Sequence, residues 1–97
     1  MSSEEKIKVT VKLFGGIGNF AGISTASVLL PPHAAISEAL KELYQSHPAL
    51  QEKLEKGVAE GYINIIVNGR NIRFLGGLET SLSEGDRIAF LPPIGGG

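Results

Sequence analysis

A chain of 97 residues, 42% hydrophobic and 20% charged, holds one domain with a single modest core. Its formal net charge of −1, with nine basic residues scattered along the chain, leaves no electrostatic footprint for nucleic acid. The absence of cysteine excludes a disulfide framework, thiol nucleophiles and zinc-thiolate sites together.

The start, Met1-Ser2-Ser3-Glu4-Glu5-Lys6, is polar and mixed in charge, without the apolar core of a signal peptide. No apolar run approaches the roughly 20 residues of a membrane span. A cytoplasmic location and a disordered N-terminus over about 1–5 are therefore expected. Lys8 to Leu13 alternates, with Val9, Val11 and Leu13 on one face and Lys8, Thr10 and Lys12 on the other, which predicts a half-buried strand. Gly15-Gly16-Ile17-Gly18-Asn19 forces a loop, and Ser24 to Leu30 supplies a second strand that Pro31-Pro32 ends. From Ile36 the period changes. Ile36, Ala39, Leu40, Leu43 and His47 form the apolar stripe of a helix about three turns long. Pro48 ends that helix or begins a second short turn through Leu50 and Leu54, which Gly57 stops.

Tyr62 to Val67 is the strongest strand signal. Asn68-Gly69 follows as a hairpin turn, and Asn71 to Phe74 returns as a short partner strand. Leu78 and Leu82 read as core plugs in an irregular stretch, Glu84-Gly85-Asp86 as a turn, and Arg87 to Leu91 as the last strand. The order ββαβββ predicts a two-layer α+β domain spanning 1–97, with a mixed sheet of about five strands and one main helix on one face. The first and last strands are expected as central neighbours.

Some apolar residues fall on the wrong face. Phe14 continues the polar face of the first strand, Leu91 points outward with Ala89 and Arg87, and Ile66 shares a face with Asn64 and Asn68. Phe14, Ile66 and Leu91 are thus candidates for one partner-docking patch on the open side of the sheet. No active site is visible. His33 and His47 are too few for a metal site. Glu79, Glu84 and Asp86 have no nucleophile or oxyanion donor around them and read as turn residues. Gly15-Gly16-Ile17-Gly18 lacks the lysine and the strand-loop-helix context of a phosphate loop.

The chain closes on Pro92-Pro93-Ile94-Gly95-Gly96-Gly97. The prolines favour a stiff, extended exit. The glycines have no Cβ and enter a slot too narrow for other residues. This flexible tail over about 92–97 is read as a probe that carries an α-carboxylate into another protein's site.

The segments Ile65-Ile66-Val67-Asn68-Gly69, Ile72 to Thr80 and Leu82 to Gly97, within a ββαβββ order, resemble the ubiquitin-like β-grasp sulfur carriers. That family includes the small subunit of molybdopterin synthase and the small archaeal modifier proteins. Ala35 departs from it, standing where a helix-capping threonine is common. The resemblance implies a carrier and not an enzyme. An E1-like adenylating enzyme would use ATP to activate the carboxylate of Gly97, with no cofactor bound to the chain itself. Sulfur would then give a thiocarboxylate for a larger catalytic subunit, as in molybdopterin synthesis, or a lysine of a target protein would give an isopeptide bond. The alternative is a non-covalent β-grasp interaction module with an incidental glycine tail. No metal, nucleic-acid or membrane partner is expected.

Overall fold

The computed structural model describes residues 5–17 and 22–92. The elements run β1 (Ile7–Leu13), β2 (Thr25–Leu30), α1 (Ile36–Ser46), α2 (Pro48–Ala59), β3 (Asn64–Val67), β4 (Arg70–Asn71) and β5 (Arg87–Leu91), with 3-10 turns at Ile72–Phe74 and Gly77–Glu79. The sheet order is β2-β1-β5-β3-β4. Antiparallel pairing joins β1 to β2 and β3 to β5, whereas β1 and β5 run parallel. The sheet is therefore mixed, and the first and last strands are neighbours within it, as the sequence pattern implies.

Alternation sets the faces. Val9, Val11 and Leu13 of β1, Ile65 and Val67 of β3, and Ile88 and Phe90 of β5 are buried. They meet Ile36, Ala39, Leu40 and Leu43 of α1 with Leu50 and Leu54 of α2 in one core. Asn68 and Gly69 both have positive φ, 49° and 88°, as a two-residue turn between Val67 and Arg70 requires. The Asn68 side chain also ties the hairpin to β5: its Oδ1 accepts from the Arg87 N–H at 3.0 Å, and its Nδ2 donates to Asp86 Oδ1 at 2.9 Å. Ala35 has no side-chain acceptor for the start of α1. The Glu38 carboxylate instead accepts from the Ala35 N–H at 3.4 Å, near the helix's positive end.

Four expectations need correction. The second turn after Pro48 is a full helix of 12 residues, so two helices cover the sheet. Proline at N1 leaves no hydrogen bond unmade. Gly57 lies inside α2 and does not stop it. A Cβ there would meet Ile63 Cδ1, and Cγ1 at 2.7 Å, so the missing side chain seats Ile63 against the helix. The return strand is only Arg70–Asn71, because Asn71 Oδ1 accepts from the Arg73 N–H at 2.9 Å and turns the chain into a 3-10 helix. Leu82 is buried as expected, but Leu78 is 44% exposed and plugs nothing. It sits on the 3-10 turn that Gly77 begins at φ 63°.

Candidate docking face and tail exit

The open side of the sheet is laid out in rows by the register. Thr10 pairs with Arg87, and Lys12 with Ala89, across the parallel β1–β5 ladder. Ala89 pairs with Ile66, and Leu91 with Asn64, across β5–β3. The parallel ladder continues one step past β1, where the Phe14 N–H donates to the Phe90 carbonyl at 3.0 Å. Phe14 is held beside the end of β5 in this way and stays 45% exposed. Phe14, Ile66 and Leu91 line one open depression of about 730 Å³, together with Lys12, Arg87 and Ala89. Its floor is low at Ala89, the smallest side chain in the middle row.

Sequence reasoning found the apolar members of this depression but not Lys12, Arg87 or Ala89 as members. The signal for them was the same period of two, since all three alternate outward with the apolar residues. Their convergence depends on the parallel register, which alternation within one strand does not set. Neither the Lys12 nor the Arg87 side chain has an ion pair or hydrogen bond among the described residues.

The chain leaves this face at Pro92, whose ring lies on Gly15. A Cβ at Gly15 would stand 2.6 Å from Pro92 Cγ, and Gly15 has φ +63°. Glycine is thus required there twice, by conformation and by the close approach of the ring. Pro92, expected to begin the flexible tail, is docked on the loop after β1. Pro93, Ile94, Gly95, Gly96 and Gly97 lie outside the described residues, as do residues 1–4 and Gly18 of the glycine-rich loop.

The carboxylates of the last turn brace structure. Glu84 Oε1 accepts from the Lys8 N–H at 2.9 Å, and Asp86 Oδ2 from the Ser83 N–H at 2.8 Å. Among the described residues no group of three or more His, Asp or Glu could hold a metal ion, and no helix is long and apolar enough to cross a membrane. Among the described residues, the element that follows β1 is β2. The Tyr44 hydroxyl, buried at the end of α1, has its pKa pushed up to about 12, first by burial and then by the Glu55 carboxylate.

The ThiS family model matches residues 11–97 of this chain. Small archaeal modifier protein 1 of Haloferax volcanii is 32% identical over 88 residues, covering 89% of this chain and 97% of that protein. The sulfur carrier protein CysO of Mycobacterium tuberculosis is 30% identical over 66 residues, 64% of this chain and 71% of CysO. The solution structure of small archaeal modifier protein 1 from Methanosarcina acetivorans superposes with a TM-score of 0.75 at 37% identity, covering 96% of this chain and 99% of its own.

Proposed function

The chain belongs to the ThiS family, and from that premise we propose that it is a ubiquitin-like sulfur carrier and protein modifier that works through the carboxylate of Gly97. The chain serves as a protein co-substrate. Catalysis belongs to an E1-like adenylating enzyme, which docks on the Phe14, Ile66 and Leu91 face and receives the tail from Pro92 to Gly97. A carboxylate is a poor acyl donor because its leaving group would be oxide. Attack of a Gly97 oxygen on the α-phosphorus of ATP releases pyrophosphate and leaves an acyl-adenylate, whose leaving group is AMP. Hydrosulfide attack on that carbonyl expels AMP and gives a thiocarboxylate. Attack by the neutral amine of a target lysine on the same carbonyl likewise expels AMP, giving an isopeptide bond as the nitrogen loses a proton.

The observation that carries this reading is the juxtaposition of an exposed apolar depression with the point where the tail departs. Docking on that face fixes the start of the tail at Pro92 and leaves five residues to reach the reacting centre. Gly95 and Gly96 suit a narrow channel, since no side chain must be accommodated. The sulfur route and the lysine route share these requirements, in keeping with relatives named as modifier and as sulfur carrier.

The test is the intact mass of the protein after incubation with the adenylating enzyme encoded in the same genome, ATP and sulfide. Replacement of one oxygen by sulfur, lost when Gly97 is deleted, is the expected result. An unmodified mass with an enzyme shown to activate another carrier would favour the non-covalent interaction module instead.

A further inference from the structure

The apolar centre of the docking face is not symmetric in charge. Lys12 flanks the Ala89 and Ile66 row on the β1 side, and Arg87 stands one step toward the start of β5. Lys8 extends the same outward face of β1. The outward side chains of β1, β3 and β5 include these cations and no carboxylate, although the whole chain is net −1. Glu84 and Asp86, in the turn that leads into β5, are held there by the Lys8, Ser83 and Asn68 contacts. Unpaired cations beside an apolar depression are poorly used in the isolated protein and gain most where a partner supplies the counter-charge and excludes water.

We propose that the depression floored by Ala89 receives an apolar side chain of the adenylating enzyme, and that Lys12 and Arg87 each meet a carboxylate beside it. The partner surface is thus an apolar knob flanked by acids, and Lys12 and Arg87 are its specificity-determining residues. This rests on the carrier reading above and says which surface of the enzyme the carrier recognises. Shape and charge divide the work. The small Ala89 leaves room between Phe14, Ile66 and Leu91 for the knob, which contributes most of the affinity as water leaves it. The cations steer the encounter and penalise partners with basic rims.

The experiment measures association and dissociation rates of the full-length chain with the adenylating enzyme at low and high salt, alongside carrier-dependent ATP–pyrophosphate exchange. The wild-type on-rate is expected to fall about tenfold as salt screens the encounter. Lys12→Glu and Arg87→Glu should each lower the low-salt on-rate several-fold and flatten the salt dependence, while Lys12→Arg restores both. Ala89→Leu should fill the depression and raise the off-rate about tenfold. Ala89 is partly exposed and outward, so the Tm of this variant should stay near wild type. A variant whose Tm falls is replaced by Ala89→Met, whose unbranched side chain fills the same space and should raise the off-rate in the same way.

Wild-type exchange activity with charge reversals that bind unchanged and a flat salt profile would overturn the acidic-rim assignment and leave the carrier reading standing. Unchanged binding by a folded Ala89→Leu or Ala89→Met chain would remove the knob. Absence of any carrier-dependent exchange by the wild type, with an enzyme active on another carrier, would overturn both readings.

Discussion

At the scale of single residues, Gly15 joins two constraints, a left-handed backbone and a neighbouring ring where its Cβ would stand. A non-glycine residue at φ +63° is strained by about 1–2 kcal/mol, and its Cβ would also press on the Pro92 ring. Gly22 has φ +74°, but among the described residues no atom beyond its chain neighbours lies within 4 Å of where its Cβ would stand, so it isolates the backbone effect. Chemical denaturation should therefore show Gly15→Ala losing about 1 kcal/mol more than Gly22→Ala. Adding Pro92→Ala to Gly15→Ala should recover most of that excess, as a double-mutant cycle on one contact requires. Equal losses at the two glycines would mean that the ring moves aside without cost. Tyr44 gives a second prediction, in pH. Its folded pKa is raised to about 12, whereas an unfolded tyrosine titrates near about 10. The native state thus favours the protonated phenol. That contribution is fully present below about pH 10 and is lost as the pH rises toward about 12. Unfolding free energy measured across this window should decline more steeply for the wild type than for Tyr44→Phe, and parallel curves would deny the coupling.

At the scale of elements, Gly57 poses a contest of two magnitudes. Alanine is favoured over glycine inside a helix by about 1 kcal/mol. Its Cβ at Gly57 would overlap Ile63, with Cγ1 at 2.7 Å, and overpacking typically costs about 1–3 kcal/mol. The clash wins, so Gly57→Ala should destabilise by about 1 kcal/mol in urea unfolding. In an Ile63→Ala background the same substitution should become stabilising, because only the helix propensity remains. A sign that does not change would place the cost elsewhere than Ile63. This contact also explains what was not legible in the sequence. Glycine and proline ordinarily mark helix ends, but Pro48 sits where its missing N–H is harmless and Gly57 is kept for a neighbour that is near only in the folded state. The shortened β4 and the exposed Leu78 have the same origin: an Asn71 side-chain bond and the positive φ of Gly77 redirect a segment whose apolar residues suggest burial. Alternation, by contrast, carries β1, β3 and β5, their inner faces and the outward placement of Phe14, Ile66 and Leu91. A period of two is enforced along each strand by the pleat itself. The neighbours Lys12, Arg87 and Ala89 required the register between strands, and the seat of Pro92 on Gly15 required the packing of chain ends.

At the scale of the whole molecule, fold and proposed chemistry are separable along the chain. Among the described residues, every buried apolar side chain lies between Val9 and Phe90, a core built from the strands and helices upstream of Gly96 and Gly97. Removing Gly96 and Gly97 takes away no side chain and should leave Tm within about 1 °C of wild type. The same truncation should abolish the mass change produced by the adenylating enzyme, because the carboxylate moves back by two residues, about 7 Å of extended chain. Adding a single alanine after Gly97 makes the stricter case. It keeps every glycine and a terminal carboxylate, yet shifts the reacting carbon outward by about 3.5 Å and brings a Cβ to the narrow end of the channel. Phosphoryl transfer needs reacting atoms about 3–3.5 Å apart. The alanine-extended chain should therefore dock with wild-type affinity while exchange of pyrophosphate into ATP falls by about 100-fold or more. Full exchange by the extended chain would mean that the enzyme reads only the folded face, and that the register of Gly97 carries no information.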